Sequence, residues 1–222
     1  MIAKISGTIL YLFSVLVYKT CRFHISGIEK FEAYIESGEP VIVTSWHGKT
    51  MMIAGSMMKY LNKYLAMVII PDDSRGKILD VFIRHLGAEP VQLNLTGDIT
   101  LGLSRSLVRV VQKIASGRSL LVHPDGPEGP AYVVKPGLSF LAKKSRAVIV
   151  PIGCYCRHAY HVPRWDRYTL PLPFSKIHIQ VGDFITIPED LQDLSETNQQ
   201  ITDILHRVSA QASANYYELK SC

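Results

Sequence analysis

The sequence predicts an α/β domain with a mostly parallel central sheet flanked by helices, preceded by an apolar N-terminal helix. Short runs rich in Val, Ile and Leu alternate with longer segments of helical periodicity, as in parallel strands joined by helices. These runs show little apolar–polar alternation, which is typical of strands covered on both faces. The 222 residues suit one domain. We divide the chain into a membrane-associating helix at 1–22 and an α/β domain at 23–222.

The N-terminal element is the uncharged stretch 5–18, which Lys4, Lys19 and Arg22 bracket with positive charge. It is shorter than the roughly 20 residues that cross a bilayer. No small-residue cleavage site follows, so a removed signal peptide is not predicted. We expect a helix half-buried among anionic headgroups, with a buried core helix as the alternative.

The remaining elements are six strands and five helices in alternation. The strands are expected at 41–45, 65–70, 90–93, 119–123, 147–155 and 176–181. The helices are expected at 50–60, 76–86, 100–116, 137–144 and 190–217. Gly87 and Gly117 stand at expected helix C-termini, and Pro136 suits a first helical turn. The proline-rich segment 158–175 has no clear period, which favours an ordered surface loop over a lid.

Composition and charge exclude several classes of protein. Hydrophobic residues make up 47% and charged residues 19%, which excludes a disordered chain. The net charge of +5 alone is compatible with nucleic acid, anionic lipid or phosphorylated partners. The chain lacks an aromatic-and-basic ladder, so nucleic acid is not an expected partner. It also lacks the G-x-S-x-G, H-E-x-x-H, G-x-G-x-x-G and Walker patterns, and no metal site is predicted.

Three polar clusters follow predicted strands. They are SWHGK at 45–49, PDDSRG at 71–76 and PDGPEGP at 124–130. Ligands of open α/β sheets bind beyond the carboxyl ends of the strands, so we expect the clusters to converge on one edge. This convergence predicts the position of the functional site.

The first and third clusters suggest chemistry. A neutral imidazole at His47 can accept a proton from a substrate hydroxyl, and Gly48 lets another chain or ligand approach closely. The alternative is a capping or core histidine. The loop 124–130 is expected to be rigid, and main-chain N–H groups around Gly126 and Gly129 suit an oxyanion or phosphate. Asp125 is expected to point to the same edge, although a purely structural loop is the alternative.

The second cluster opens a helix. Ser74 and Arg75 lie at its N-terminus, where the backbone favours an anion; a solvated helix start is equally compatible. Lys49 and Lys135 offer further cations near the same edge. We therefore count these four residues as candidate substrate-binding residues.

Six motifs then occur in a familiar order. They are WHGK at 46–49, SRG at 74–76, SGRS at 116–119, PDGPEGP at 124–130, VKPG at 134–137 and IVPI at 149–152. Together they resemble a bacterial branch of the lysophospholipid acyltransferase superfamily, a group long described only as a domain of unknown function. The similarity spans residues 20–185, and the PDGPxGP loop followed by VKPG is its most specific part. It implies a glycerol-3-phosphate acyltransferase-like fold.

The resemblance also implies roles for residues. The superfamily uses an H-x-x-x-x-D motif, in which the aspartate orients the basic histidine. His47 matches that histidine, but Met52 occupies the aspartate position. The superfamily's phosphate-handling loop is similar to 124–128, with Glu128 where a basic residue is usual. We therefore expect Asp125 to orient His47 and Arg75, Lys49 or Lys135 to supply the cation.

The activity implied is acyl transfer from acyl-CoA or acyl carrier protein to a hydroxyl of a lysophospholipid-like acceptor, with no cofactor. Membrane lipids are the expected partners, at the cytoplasmic face of the inner membrane; the oligomeric state is left open. Four methionines lie where they can line an acyl-chain groove or pack in the core: Met51, Met52, Met57 and Met58. The alternative function is a non-catalytic lipid-binding or scaffold protein that retains the fold.

Overall fold

The computed structural model describes residues 2–56, 66–94 and 101–218. The helices are α1 (Ile2–Thr20), α2 (Ile28–Glu36), α3 (described over 50–56), α4 (Ser74–His85), α5 (Leu101–Ala115), α6 (Pro136–Ser145) and α7 (Ser195–Glu218). The strands are β1 (Arg22–Ser26), β2 (Val41–Thr44), β3 (Met67–Pro71), β4 (Glu89–Leu93), β5 (Leu120–Val122), β6 (Val148–Tyr155), β7 (Ala159–His161), β8 (Thr169–Pro171) and β9 (Lys176–Val181).

Within these ranges, one seven-stranded sheet has the order β1-β9-β6-β2-β5-β3-β4. Its neighbouring strands are parallel apart from β6 with β9. A separate antiparallel hairpin is formed by β7 and β8. The predicted α/β domain with a mostly parallel sheet is therefore confirmed.

The core lies in two layers, one on each face of the sheet. On β2, Val41 and Val43 join one apolar cluster, whereas Ile42 joins the other. Helices α1 to α4 cover the first face, and α5 to α7 cover the second. Because successive strand residues point to opposite faces, this double cover explains the continuous apolar runs of the sequence.

Some boundaries differ from prediction. Strand β1, helix α2 and the β7–β8 hairpin were not predicted, since they are short and carry no sustained apolar run. Helix α7 begins at Ser195 rather than 190, because the Asp193 carboxylate accepts the Ser195 N–H at 2.8 Å. Residues 57–60 of the predicted helix lie outside the described part of the chain.

The residues predicted to begin or end helices are confirmed. Gly87 and Gly117 follow α4 and α5 with φ of 85° and 90°, in the left-handed region that favours glycine. Pro136 is the first residue of α6.

Helix α1 both packs on the domain and exposes an apolar stripe. It crosses α4 closely at Gly7, where a Cβ would lie 2.7 Å from the Ile78 carbonyl oxygen. The stripe recurs at helical spacing and consists of Ile2, Ile5, Ile9, Leu12 and Leu16. By length and composition this helix is long and apolar enough to cross a membrane. It is therefore neither a fully buried core helix nor a helix with one polar face.

Candidate active site at the strand ends

The three predicted clusters meet at one edge of the sheet. Strand β5 lies between β2 and β3, all three are parallel, and their carboxyl ends carry the clusters. Two contacts join them: the His47 N–H donates to Asp125 Oδ1 at 2.9 Å, and Arg75 Nη2 lies 3.2 Å from Glu128 Oε1. The convergence expected from strand direction is observed.

The His47 imidazole is paired with Asp166. Nδ1 lies 2.6 Å from Asp166 Oδ2, and the carboxylate is fully buried while the imidazole is 24% exposed. A carboxylate can only accept, so it holds the proton on Nδ1 and leaves Nε2 as the acceptor. Among the described residues, none forms a hydrogen bond with His47 Nε2. This is the arrangement of an oriented general base.

Asp166 comes from the loop between β7 and β8, within the segment interpreted from sequence as a surface loop. Its backbone lies against Gly48, where any Cβ would overlap the Asp166 carbonyl oxygen. Gly48 is therefore required so that the loop can approach the His47 turn. Arg164 Nε lies 2.9 Å from Asp166 Oδ1 in an ion pair, although its geometry is not that of a hydrogen bond. The segment therefore covers the site and contributes a residue to it, and it is not only a surface loop.

Asp125 does not orient the imidazole, contrary to the expectation. Its buried carboxylate accepts the main-chain N–H groups of His47 at 2.9 Å and Tyr132 at 3.2 Å. Burial raises the pKa of the Asp125 carboxyl, and these hydrogen bonds offset part of that increase. The residue thus fastens the loop 124–130 to the end of β2. Asp166 has the orienting position because the β7–β8 loop folds back over the edge.

The loop glycines serve packing more than anion binding. The Gly126 N–H donates to His123 O and the Gly129 N–H donates to Asp125 O, both at 3.1 Å. These two donors are satisfied within the loop, so neither of them is free for an oxyanion or phosphate in this conformation. A Cβ at Gly126 would lie 2.9 Å from His47 Cδ2. Glycine is needed there because the imidazole occupies the space.

Trp165 closes one side of the site. Its ring centroid lies 5.4 Å from that of His47, with an interplanar angle of 35°. A Cβ at Gly129 would lie 2.8 Å from Trp165 Cε3, so the indole packs directly on the loop. This contact links the β7–β8 loop with the loop 124–130.

His123 supports the site from beneath. It is partly buried, with Nδ1 2.9 Å from Ser45 O and Nε2 3.1 Å from Thr50 Oγ1. Burial lowers the pKa of His123 to about 3, and the nearby His47 lowers it further. His123 is therefore neutral at pH 7. Since Thr50 also donates to His47 O at 2.6 Å, His123 braces the turn that presents His47.

The helix start at Ser74 and Arg75 is already neutralised. The Asp73 carboxylate accepts the N–H groups of Arg75 at 2.7 Å and Gly76 at 3.0 Å. The Arg75 guanidinium pairs with Asp73 and Glu128. Ser74 is exposed at the first position of α4. The expected anion site is thus filled by the protein's own carboxylates, which also accounts for an acidic residue at 128.

The other two predicted cations differ from each other. Lys135 Nζ donates to Gly126 O at 3.0 Å and so holds the loop 124–130. Lys49 Nζ donates to Thr169 Oγ1 at 3.3 Å, and burial lowers the pKa of its amine. Both lie at the predicted edge.

Two of the four methionines, Met51 and Met52, are buried. Met51 and Met52 are fully buried, and Met52 packs in the apolar cluster on the α1–α4 side of the sheet. Met52 therefore stands in the core rather than beside the imidazole. Met57 and Met58 lie outside the described residues.

Asp166, His123 and Trp165 escaped sequence analysis. His123 was placed at the end of a predicted strand, and the segment 158–175 was described only as a proline-rich surface loop. The only signal for Asp166 was a lone acidic residue there. A separation of 119 residues from His47 gives no spacing to search for.

Comparison with solved structures identifies the architecture. The crystal structure of the 1-acyl-sn-glycerophosphate (LPA) acyltransferase PlsC from Thermotoga maritima aligns with a TM-score of 0.62 and 18% identity. The alignment covers 94% of this chain and 80% of that one. The chain has an acyltransferase fold. At this identity the similarity concerns the fold alone.

Sequence comparison adds one relative of the same extent. An uncharacterised protein of Rickettsia prowazekii (strain Madrid E) is 25% identical over 195 residues, covering 84% of this chain and 86% of that protein. No protein-family model matches the chain. The acyltransferase fold therefore rests on the structural comparison, and activity has to be argued from the site.

Proposed function

We propose that the protein is an acyltransferase that moves a fatty acyl group from acyl-CoA or acyl carrier protein to a hydroxyl of a lysophospholipid-like acceptor. One observation carries this proposal: His47 and Asp166 form an oriented base at the strand-end edge of an acyltransferase fold. The Thermotoga maritima protein is a 1-acyl-sn-glycerophosphate (LPA) acyltransferase. The acceptor proposed here is of the same general class.

The reaction follows from the position of the protons. His47 Nε2 removes the proton of the acceptor hydroxyl, whose oxygen attacks the thioester carbonyl carbon. The tetrahedral intermediate then expels the thiolate, which takes the proton back from the imidazolium. Asp166 stabilises that imidazolium and holds Nδ1 protonated. The products are the ester and the free thiol.

Helix α1 supports a membrane location. Its exposed stripe offers apolar surface to lipid, and each fully buried Ile or Leu side chain contributes about 1.5–3 kcal/mol. The exposed cations Lys4, Lys19 and Arg22 flank the stripe and suit anionic headgroups. We propose that α1 docks the domain on the membrane, on the cytoplasmic face of the inner membrane.

The test is acyl transfer by the purified full-length protein. Radiolabelled acyl-CoA and acyl carrier protein are each incubated with a panel of lysophospholipids in vesicles. His47→Ala and Asp166→Asn variants run in parallel, and Asp203→Asn on the exposed face of α7 is the matched control. Labelled diacyl product should form with the unmodified protein and the control, and fall to background with His47→Ala.

Two results would reject the proposal. If no acceptor is acylated by either donor while vesicle binding persists, a non-catalytic lipid-binding protein becomes the better interpretation. If His47→Ala retains full turnover, the reaction occurs elsewhere in the protein.

A further inference from the structure

An exposed apolar turn lies directly after β8. It consists of residues 172–175, and the Ser175 N–H donates to Leu172 O at 3.2 Å. Leu172 and Phe174 are both exposed, and at 79% Phe174 has the largest exposed fraction of the large apolar side chains in the described part of the chain. The hairpin also exposes Tyr160 on β7. Apolar surface is therefore presented to water outside helix α1 as well as on it.

The backbone conformation of Phe174 is unusual for a bulky residue. Its φ is 67°, and Pro173 precedes it. Proline at the second position of a turn and a positive φ at the third match a type II turn, in which glycine is the usual third residue. A phenylalanine there costs conformational free energy, so local stability alone favours glycine. The ring nevertheless stays largely in water, which indicates a role outside the fold.

The turn is fastened to the C-terminal end of α1. The Cys21 thiol donates to Leu172 O at 3.3 Å, and the Arg22 N–H donates to Ser175 O at 2.9 Å. The first residue of β7 packs on the same apolar cluster as α1. Leu16 ends the exposed stripe of α1 and precedes Cys21 by about 8 Å along the helix axis, at about 1.5 Å per residue. The turn therefore adjoins the stripe that we propose contacts lipid.

The charges around the turn are almost all positive. Lys and Arg occupy three positions in 2–28 and four in 151–182. The one acidic residue in these two segments is Asp166, which is buried and lies against His47 and Arg164. Anionic headgroups attract such a basic surface, and the hydrocarbon beneath them accepts exposed apolar side chains. An anionic bilayer therefore matches both the charge and the apolar character of this region.

We propose that the turn 172–175 is a second membrane-docking element, which inserts Leu172 and Phe174 among the lipids of an anionic bilayer. The inference rests on the proposed function, because it takes up the membrane location of α1. Strand β8 separates the turn from the loop that carries Asp166 by three residues, about 10 Å of extended chain. Docking through both elements holds the His47–Asp166 edge near the bilayer surface, where a lysophospholipid acceptor resides.

Sedimentation with vesicles tests the turn without requiring turnover. The full-length protein is mixed with vesicles of phosphatidylglycerol and phosphatidylcholine in equal parts, or with vesicles of phosphatidylcholine alone. Phe174→Gly removes the ring, and glycine suits the positive φ at this position. Phe140→Ala is the matched control, because Phe140 is an exposed aromatic residue on α6, which covers the opposite face of the sheet from α1.

Phe174→Gly should weaken binding to the anionic vesicles by about tenfold, from the loss of one buried aromatic side chain. Its thermal midpoint should equal or exceed that of the unmodified protein, whereas loss of a residue that only supports the fold would lower it.

A charge variant tests the second part of the match. Arg157→Gln combined with Arg167→Gln removes two exposed cations of the hairpin and should weaken binding to the anionic vesicles by about fivefold for each charge. Arg109→Gln combined with Lys144→Gln changes the net charge equally on α5 and α6 and should have a smaller effect.

Quenching of tryptophan fluorescence by brominated acyl chains locates the turn directly. Phe174→Trp keeps an aromatic side chain at the same backbone position, and its added fluorescence should be quenched in brominated anionic vesicles. Phe140→Trp should add fluorescence that is not quenched.

The proposal fails if Phe174→Gly binds anionic vesicles as tightly as Phe140→Ala does, or if Phe174→Trp is quenched no more than Phe140→Trp. It also fails if Phe174→Gly loses binding to acyl carrier protein and keeps binding to vesicles, since the turn then contacts a protein. These measurements are independent of turnover. An inactive protein whose vesicle binding depends on Phe174 rejects the proposed function and leaves this inference standing.

Discussion

Replacing Asp166 with Asn should lower kcat by about two to four orders of magnitude. Oδ2 accepts from His47 Nδ1 at 2.6 Å and is fully buried. Loss of one partner from a buried ion pair costs about 3–5 kcal/mol. Because about 1.4 kcal/mol is a factor of ten in rate, the imidazolium formed in the transition state becomes correspondingly less accessible.

The amide should also impose the wrong tautomer. Arg164 Nε lies 2.9 Å from Oδ1, so the Asn oxygen is favoured there and its NH₂ group faces Nδ1. Nδ1 must then accept, which places the proton on Nε2 and removes the base. An Asp166→Asn variant combined with Arg164→Gln should regain part of the activity, because the amide can then rotate and present its oxygen to Nδ1.

Steady-state kinetics with saturating donor measure this effect. The acceptor KM should change by less than about threefold, because the carboxylate acts on the transition state and not on ground-state binding. Asp203→Asn should match the unmodified protein. The reasoning is refuted if Asp166→Asn keeps kcat within about twofold, or if the decrease appears only in KM.

Three further predictions concern stability, loop approach and the membrane. The pKa of His123 is about 3 in the folded protein and 6.5 in the unfolded chain. The contribution of neutral His123 to the free energy of unfolding is therefore complete above pH 6.5 and is lost as the pH falls towards 3. Denaturant titrations over this range should show a shallower loss of stability for His123→Gln than for the unmodified protein. Gly48→Ala should lower kcat by about a hundredfold while the fold is unchanged, because the added methyl group would overlap the Asp166 carbonyl oxygen. Gly137→Ala, whose added Cβ meets open space, should leave both kcat and the circular dichroism spectrum unchanged. Ile9→Ser should weaken sedimentation with anionic vesicles by about tenfold, while the equally apolar and exposed Val108→Ser on α5 should not.

The sheet and the position of the site were predictable because both follow from strand burial. Residues 41–44 and 148–155 are apolar on both faces, and this continuity identifies parallel strands covered by helices. Once β2, β3 and β5 were known, the polar residues after them had to meet at one edge.

The partner of His47 was not predictable in the same way. Asp125 was correctly placed beside His47, but strand order says nothing about whether a carboxylate faces a side chain or a main-chain N–H. Asp166 depends on how the β7–β8 loop returns over the edge, and a segment without periodicity does not specify its path. The pairing of Arg75 with Glu128 is likewise a contact between two loops.

The close approach of the β7–β8 loop to Gly48 has a consequence for thermal inactivation. The loop belongs to a hairpin of two three-residue strands outside the large sheet, and such a unit opens at a lower free energy than the core. Asp166 leaves His47 when the hairpin opens, although every core strand is still paired. The hairpin and the core thus unfold as separate cooperative units. Heating should therefore abolish the proposed activity before it melts the core.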